Sequence, residues 1–251
     1  MWQEYISAAT VDEALQALGE YGEGGRIVAG ATDLILELER GVRKNIRALI
    51  DITRIPGLAT ITLDEAGMIH LGPLVTHNHC VGSKLIRERA FPLARATWEV
   101  GSPQIRNRGT VAGNLVTGSP ANDTIAPLMA LQASVVLASK SGQREVPLKD
   151  FYLGVRKTAM RPDEMLVEIV FPALQDNQRG TFIKFALRSA KAISLVSVAT
   201  ILTLSDDRVQ SAAITLGAVA PTIIHATEAE KFLVGKELSS EVVEEAGNLA
   251  T

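Results

Sequence analysis

Cysteine is almost absent from this sequence: Cys80 is the single one in 251 residues. One thiol cannot close a disulfide within the chain, and it cannot supply the several thiolates of an iron–sulfur cluster or of a cysteine-based zinc site. Any redox chemistry of this protein must therefore come from an organic cofactor or from a partner protein.

Long apolar runs and a strong excess of one charge are also missing. No stretch approaches the roughly 18 consecutive apolar residues of a membrane span, and the first residues, MWQEYISAAT, lack the basic and apolar segments of a signal peptide. The 25 lysines and arginines nearly balance the 28 aspartates and glutamates, which gives a net charge of −3 without a dense basic stretch. We therefore expect a cytoplasmic protein with no membrane span and no nucleic-acid partner.

Several motifs that identify common enzyme classes are absent as well. The chain has neither the Gly-x-Gly-x-x-Gly of a Rossmann dinucleotide site nor the Gly-x-x-x-x-Gly-Lys-Ser/Thr of a P-loop, and it has no Gly-x-Ser-x-Gly hydrolase elbow. His77 and His79 have the spacing of a possible metal pair. Thr76, however, predicts the start of a helix there, and residues i and i+2 do not share a helix face. We therefore expect no metal site.

The composition that is present, 47% hydrophobic and 21% charged, is typical of a globular protein. Thr10 predicts the cap of a first helix that ends near Glu20, and a strand at 26–29 runs through a tight turn into a helix closed by Gly41. A second strand follows at 48–53. This order allows a right-handed β-α-β crossover with a parallel pair of strands, so residues 1–55 are predicted to form a small α/β subdomain.

The rest of the chain divides at a polar stretch, residues 173–180, which is the predicted domain boundary. Before this boundary the patterns predict strands at 68–75, 134–139, 143–148 and 165–172, and helices at 77–89, 92–100 and 123–133. After it they predict three strands at 181–188, 194–205 and 208–219, with Asp206 and Asp207 in a hairpin turn. Helices are predicted from about Ala226 and from Ser239.

Two turns rich in small residues stand out. They are IVAGATDL at 27–34 and NRGTVAGNL at 107–115. The second is interpreted as a loop, and it continues through LVTGSPAND to Asp123. Both would present free backbone N–H groups at a strand end or a helix start, where phosphate binds without any lysine or arginine. The alternative is purely structural: Gly30 shapes a turn and Thr32 caps the following helix. Two such turns together predict a pyrophosphate site.

The succession of motifs resembles one family, the FAD-binding medium subunit of the molybdenum hydroxylases, which includes xanthine dehydrogenase and carbon monoxide dehydrogenase. AGATDL resembles the family's Ala-Gly-Gly-Thr-Asp-Leu turn, and QIRNRGTVAGNLVTGSPANDTIAPLMALQASVVL resembles its longest signature. PDEMLVEIVFP and FIKFALRSAKAISLVSVA match later landmarks, so the resemblance covers essentially the whole chain. Ala31 and Ala112 stand where the family often has glycine, which is tolerable where φ is negative.

The resemblance implies an α+β fold with two domains. Residues 1–175 would form a two-part FAD-binding domain of the vanillyl-alcohol-oxidase (PCMH) type, with subdomains at about 1–55 and 56–175. Residues 176–251 would form a carbon monoxide dehydrogenase flavoprotein C-terminal domain with a three-stranded antiparallel sheet and helices. We expect this second domain to be truncated, because the family's C-terminal helical region continues further.

The resemblance also implies which residues contact FAD. The first turn would contribute Ile27, Val28, Ala29, Gly30, Ala31, Thr32, Asp33 and Leu34. The second would contribute Thr110, Val111, Ala112, Gly113 and Asn114, and the further positions are Thr117, Asp123, Leu166 and Lys184. Asp123 is expected to accept a hydrogen bond from a sugar or ribityl hydroxyl, with capping of the next helix as the alternative. No residue is expected to be a catalytic acid or base, and Asp163-Glu164 is expected to lie in a solvated turn.

By the same resemblance, the protein is an oxidoreductase subunit that passes electrons from iron–sulfur clusters through FAD to NAD or another acceptor. Its partners would be a [2Fe–2S] subunit and a molybdopterin-binding large subunit, and the latter would choose the substrate. Two other classes stay open: a stand-alone flavin oxidase with its own substrate pocket, and a nucleotide-binding or assembly module that has lost the cofactor.

Overall fold

The computed structural model describes residues 2–188 and 191–250, and its sheets define three units. The elements of the first unit are β1 (Glu4–Ser7), α1 (Val11–Tyr21), β2 (Gly25–Val28), α2 (Leu34–Glu39) and β3 (Ala48–Asp51). The three strands form a parallel sheet in the order β1-β3-β2. Strand β2 therefore lies at an edge of this sheet, with one side open toward the second unit.

The first unit largely follows the predicted pattern. The hydroxyl of Thr10 accepts the Glu13 N–H at 3.1 Å and so caps α1, whose buried face packs with strands β2 and β3. The parallel pair of β2 and β3 is confirmed, with Ile27 opposite Ile50. Strand β1 was not predicted, because its side chains are mostly exposed and no apolar alternation marks it.

The second unit combines a larger sheet with short helices. Its elements, in chain order, are β4 (Ile61–Leu63), β5 (Met68–Leu71), α3 (His77–Gly82), α4 (Lys84–Arg89), α5 (Phe91–Glu99), α6 (Pro103–Arg108), α7 (Val111–Thr117), α8 (Ile125–Ala130), β6 (Ser134–Ser139), β7 (Gly142–Pro147), α9 (Leu148–Phe151), β8 (Tyr152–Gly154), β9 (Lys157–Thr158) and β10 (Met165–Pro172). Five of the strands form an antiparallel sheet in the order β4-β5-β10-β6-β7, and β8 pairs with β9 in a separate hairpin.

One predicted helix of this unit is wrong in its extent. The stretch 77–89 is two helices, because Ser83 adopts an extended backbone with φ −72 and ψ 122. Its hydroxyl accepts the Ile86 N–H at 3.3 Å, so Ser83 ends α3 and caps α4. The strand predicted at 68–75 is also shorter, since β5 stops at Leu71, before Gly72 and Pro73.

The third unit is the C-terminal sheet with its helices. Its elements are β11 (Gln178–Phe185), β12 (Val196–Ser205), β13 (Arg208–Gly217), β14 (Ile224–His225), α10 (Thr227–Leu233) and α11 (Ser240–Asn248). The three predicted strands are confirmed as antiparallel neighbours, and the two-residue β14 adds a short fourth. Asp206 and Asp207 both have positive φ, 49° and 61°, as a two-residue hairpin turn requires.

The hydrophobic core joins the second and third units. Phe182, Ala199 and Ile201 from the C-terminal sheet belong to the same buried cluster as Leu93 of α5 and Leu128 of α8. The opposite face of that sheet packs against α10 and α11. Within residues 2–188 and 191–250, no helix is long and apolar enough to cross a bilayer.

Candidate functional site

A large cleft lies between the first and second units. Its volume is about 1240 Å³, and its wall is built from residues of both units. This volume exceeds the roughly 300–1,000 Å³ of pockets for drug-sized ligands, so the cleft suits a longer molecule. One wall follows the open edge of β2 and the turn after it, and the facing wall includes the residues between α6 and α7.

The first turn presents a row of backbone donors to the cleft. The N–H groups of Gly30, Ala31, Thr32 and Asp33 donate no hydrogen bond within the described part of the chain. All four residues line the cleft. Successive N–H groups of this kind form a concave site for anions. Thr32 does not cap α2, because the residue before that helix is Asp33 and no side-chain cap bond is present.

The left-handed position in this turn is Ala31, with φ 58°, and not Gly30. The condition under which alanine is tolerable here, a negative φ, is therefore not met at Ala31. A left-handed conformation costs a residue with a Cβ about 1–2 kcal/mol, so the turn holds local strain at this position.

The second turn differs from the predicted loop. Asn107 and Arg108 end α6, and α7 begins at Val111, so most of NRGTVAGNL is helical. Thr110 caps α7, because its Oγ1 accepts the Gly113 N–H at 2.9 Å. Ala112 lies inside this helix and is buried, and its N–H has no acceptor in the residues that the structure describes. Buried N–H groups are normally paired, so an acceptor is expected on the cleft side.

The two turns touch each other through glycine. A Cβ at position 30 would lie 2.0 Å from the carbonyl oxygen of Arg108 and 3.0 Å from the Cα of Gly109. No side chain fits there, so Gly30 is required by the close approach of two backbones rather than by a positive φ. The unpaired donors of both turns are thereby brought to one place in the cleft.

Most of the residues predicted to contact FAD lie in this cleft. The cleft wall contains Ile27, Ala29, Gly30, Ala31, Thr32, Asp33, Leu34, Thr110, Ala112, Gly113, Asn114, Thr117 and Leu166. It does not contain Val28, Val111, Asp123 or Lys184. Val111 is fully buried in the core of the second unit, which explains its position behind the wall.

Two polar residues of the cleft wall, Asn114 and Thr117, also form hydrogen bonds within the chain. The Oδ1 of Asn114 accepts a hydrogen bond from the Thr124 hydroxyl at 2.5 Å, and its backbone oxygen accepts one from Asn122 at 2.7 Å. The hydroxyl of Thr117 donates to the backbone oxygen of Gly113 at 2.9 Å. These bonds hold α7 and the loop after it in place at the cleft.

Asp123 and Lys184 bind each other rather than facing the cleft. The Lys184 Nζ lies 2.7 Å from Asp123 Oδ2, and the Ser194 hydroxyl donates to Asp123 Oδ1 at 2.6 Å. Burial raises the pKa of the Asp123 carboxyl, although Lys184 and Ser194 act in the opposite direction. Asp123 is not the cap of α8, which begins after Thr124 without a side-chain cap bond. The pair therefore joins the second unit to the third.

Glu164 lines the cleft and is not solvated, so the expected solvated turn is wrong for this residue. It is 5% exposed and binds Arg144 through both carboxylate oxygens, at 2.7 and 2.9 Å. It also accepts the Arg161 N–H at 2.7 Å. Burial alone would raise the pKa of Glu164, but the hydrogen bonds from Arg144 and Arg161 outweigh it and lower the pKa. Sequence spacing did not predict this pair, because Arg144 lies on β7, 20 positions before Glu164.

The sequence did not predict the arginine side chains that line the cleft. Arg26, Arg43 and Arg156 line it together with Glu37. One oxygen of Glu37 accepts from Arg156 at 3.0 Å, and the other accepts from Arg43. Arg156 is separated from Glu37 by 119 positions, so only the fold brings them together. The cleft thus offers cationic groups in addition to backbone donors, although the sequence motifs implied phosphate binding without them.

Comparison with known proteins identifies the family of this chain. Residues 2–174 match the family model described as "FAD binding domain in molybdopterin dehydrogenase", and residues 181–251 match "CO dehydrogenase flavoprotein C-terminal domain". The chain belongs to this family. It is an FAD-binding flavoprotein subunit of the molybdenum hydroxylase type, an oxidoreductase, and a medium-type subunit of a multi-subunit enzyme.

The relatives span nearly the full length of the chain. It is 34% identical over 247 residues to the nicotinate dehydrogenase FAD-subunit of Eubacterium barkeri, with 96% of this chain and 82% of that protein covered. It is 31% identical over 247 residues to the carbon monoxide dehydrogenase medium chain of Hydrogenophaga pseudoflava, with 98% and 85% covered.

Solved structures show the same fold. A structure of carbon monoxide dehydrogenase from Hydrogenophaga pseudoflava superposes with a TM-score of 0.93 at 31% identity, covering 99% of this chain and 86% of that chain. Quinoline 2-oxidoreductase from Pseudomonas putida 86 gives a TM-score of 0.92 at 27% identity, covering 100% and 85%. The predicted α+β fold, an FAD-binding domain followed by a flavoprotein C-terminal domain, is confirmed.

Proposed function

We propose that this chain binds FAD in the cleft and uses it to pass electrons from the iron–sulfur clusters of a [2Fe–2S] subunit to NAD or another acceptor. A molybdopterin-binding large subunit would oxidise the substrate and would select it. The FAD, when bound, supplies the redox chemistry, and the chain supplies binding, orientation and electrostatic tuning. A cytoplasmic location stays a prediction from the sequence.

The observation that carries this proposal is the set of unpaired backbone N–H groups where the two turns meet. Gly30, Ala31, Thr32 and Asp33 present such groups from one side, and Ala112 presents one from the other. The oxygens of a pyrophosphate match donors arranged in this way. The donor set and the large cleft therefore fit a dinucleotide such as FAD.

The remaining contacts are proposed from the cleft wall. Leu166 is 4% exposed and gives the wall an apolar surface, together with Val100 and Ile105, against which a flavin ring can pack. Contacts of FAD with Val28, Val111, Asp123 and Lys184 stay predictions, because these residues do not line the cleft wall. Asp123 and Lys184 have a structural role in any case, since they bind each other.

Purification of the chain followed by FAD titration tests cofactor binding. We expect a yellow protein, or an apoprotein that takes up one FAD per chain and quenches its fluorescence. A folded, colourless protein that does not take up added FAD would overturn the proposal and would favour the cofactor-free module.

Co-purification from the native source tests the partners. We expect an iron–sulfur subunit and a molybdopterin subunit to accompany the chain, and we expect reduction of its FAD to require them. A monomer that turns over a substrate at full rate would instead identify a stand-alone flavin oxidase.

A further inference from the structure

His77 is a buried histidine in the cleft wall, and neither sequence motif includes it. It is the first residue of α3, is 3% exposed, and lines the cleft. Two backbone hydrogen bonds fix its position relative to the second turn: His77 N–H donates to the oxygen of Gly109 at 3.1 Å, and Val111 N–H donates to the oxygen of Val75 at 2.9 Å. The imidazole is therefore held at the turn by backbone on both sides.

The ring packs directly against Gly109. A Cβ at position 109 would lie 3.3 Å from Cδ2 of His77 and 3.5 Å from its Nε2. Gly109 is also the residue that Gly30 approaches from the facing turn. His77 Nε2 therefore lies close to the junction of the two turns.

The imidazole is neutral at physiological pH. Burial lowers the pKa of His77 to about 4, and the nearby positive charge of Arg106 acts in the same direction. That guanidinium does not bind the ring, because it donates to Asn78 and to the backbone of Val100 and lies over Trp98.

A neutral imidazole carries one proton, and the surroundings indicate which nitrogen holds it. Nδ1 is buried and has no hydrogen-bond partner within residues 2–188 and 191–250. A buried N–H without an acceptor is rarer than a buried acceptor without a donor. The proton therefore belongs on Nε2, the nitrogen on the side of Gly109.

We infer that His77 binds the cofactor directly, by donating a hydrogen bond from Nε2 to a pyrophosphate oxygen of FAD where Gly30 meets Gly109. This inference rests on the proposed function. It adds a side-chain donor to the backbone donors of the two turns. His77 is accordingly a specificity residue for a diphosphate-containing ligand.

The test compares FAD and ADP binding to His77→Leu, His77→Gln and the wild-type apoprotein. The loss of a hydrogen bond to a charged phosphate oxygen should weaken FAD binding about 10- to 150-fold in His77→Leu, and ADP, which carries a diphosphate without the flavin, should weaken by a similar factor. His77→Gln should recover most of the affinity, because its amide N–H replaces the Nε2 donor. His79→Leu is the control for an indirect effect, because it removes a histidine outside the cleft whose Nδ1 accepts the Thr76 N–H at 3.3 Å and so weakens the cap of the same helix without touching the proposed contact.

The outcomes separate this inference from the proposed function. If wild-type protein does not bind FAD, the proposed function fails. If wild-type protein binds FAD and His77→Leu binds it equally well while melting at a lower temperature, His77 is only a packing residue and the inference is overturned. Weaker FAD binding with unchanged ADP binding would also overturn it, because the contact would then be to the flavin part.

Discussion

Gly30 and Arg108 lie in direct backbone contact, so close that a Cβ at position 30 would come within 2.0 Å of the Arg108 carbonyl oxygen. Gly30 belongs to the first unit and Arg108 ends α6 of the second. This contact sets the distance between the two turns that line the cleft. It also means that Gly30 cannot be replaced without moving one unit relative to the other.

Gly30→Ala should therefore damage both the fold and the site. We expect a loss of about 1–3 kcal/mol in the free energy of unfolding, as for other overpacked positions, and a weaker affinity for FAD because the two turns separate. Urea denaturation and FAD titration measure the two effects. Gly113→Ala is the control for the stability measurement alone, because Gly113 itself lines the cleft. Its Cβ would meet the Thr110 hydroxyl at 2.9 Å, and the cost is limited to that cap, about 1 kcal/mol. Equal stability of Gly30→Ala and wild type would contradict the close approach.

The sequence predicted the order of elements well, because helix caps and apolar periodicity are local signals. Thr10 and the Asp206-Asp207 turn are examples in which two or three residues determine the local conformation. The reason for Gly30 was not predictable, since the backbone that excludes its Cβ lies 78 positions later, at Arg108. The partners of Asp123 were missed for the same reason: Lys184 and Ser194 are 61 and 71 positions away.

The second turn shows a different limit of the sequence. Its glycines and threonine indicated a loop, yet Val111–Thr117 is helical, because Thr110 caps it and Gly118, with φ 61°, ends it. Small residues weaken a helix pattern without excluding a helix when a cap stands at each end. Charge pairs such as Glu37 with Arg156 were likewise beyond sequence reasoning, although the motifs identified the two turns on which the cleft is built.

Ala31→Gly should stabilise the protein. Ala31 has a φ of 58°, which glycine adopts without a Cβ clash, so we expect a gain of about 0.5–1 kcal/mol in the free energy of unfolding after the entropy of glycine in the unfolded chain is included. Ala112→Gly is the matched comparison, because Ala112 is helical and buried, and glycine there should cost about 1 kcal/mol. Thermal melting of both apoproteins measures the difference. A lower melting temperature for Ala31→Gly than for wild type would show that position 31 is not strained.

Glu164 should make stability depend on pH in the acid range. Its pKa is lowered in the folded chain from an ordinary value of 4.5, so its contribution is fully present above pH 4.5 and is lost as the pH falls through the lower folded value. Glu164→Gln should cost about 1–3 kcal/mol at pH 7, since it removes the charge that Arg144 binds. Urea denaturation at pH 7 and below pH 4 should show a smaller loss of stability on acidification for the variant than for wild type.

The control for this experiment is Glu145→Gln, at the residue next to Arg144 on β7. Glu145 is exposed on β7, so its replacement changes the net charge equally without removing a buried ion pair. We expect its unfolding free energy to follow wild type at both pH values, within about 0.5 kcal/mol. An equal response of the two variants would mean that Glu164 owes its effect to net charge rather than to Arg144.

Asp123 and Lys184 should be coupled in their contributions to the free energy of unfolding, because each compensates the buried charge of the other. Both side chains are 7% exposed, so Lys184→Met leaves a buried carboxylate without its cation, and Asp123→Asn leaves a buried ammonium. Each single variant should lose about 3–5 kcal/mol of unfolding free energy. The double variant should lose clearly less than the sum, because neither charge is then left uncompensated.

A double-mutant cycle by urea denaturation measures this coupling, with Lys157→Met as a control for the loss of an exposed lysine. A coupling energy above about 1 kcal/mol is expected, because the two groups are in contact at 2.7 Å. Losses that simply add would show that the two residues act independently. In that case Ser194, which also donates to Asp123, would be the group that stabilises the carboxylate. Ser194→Ala should then cause the largest loss of unfolding free energy among these variants.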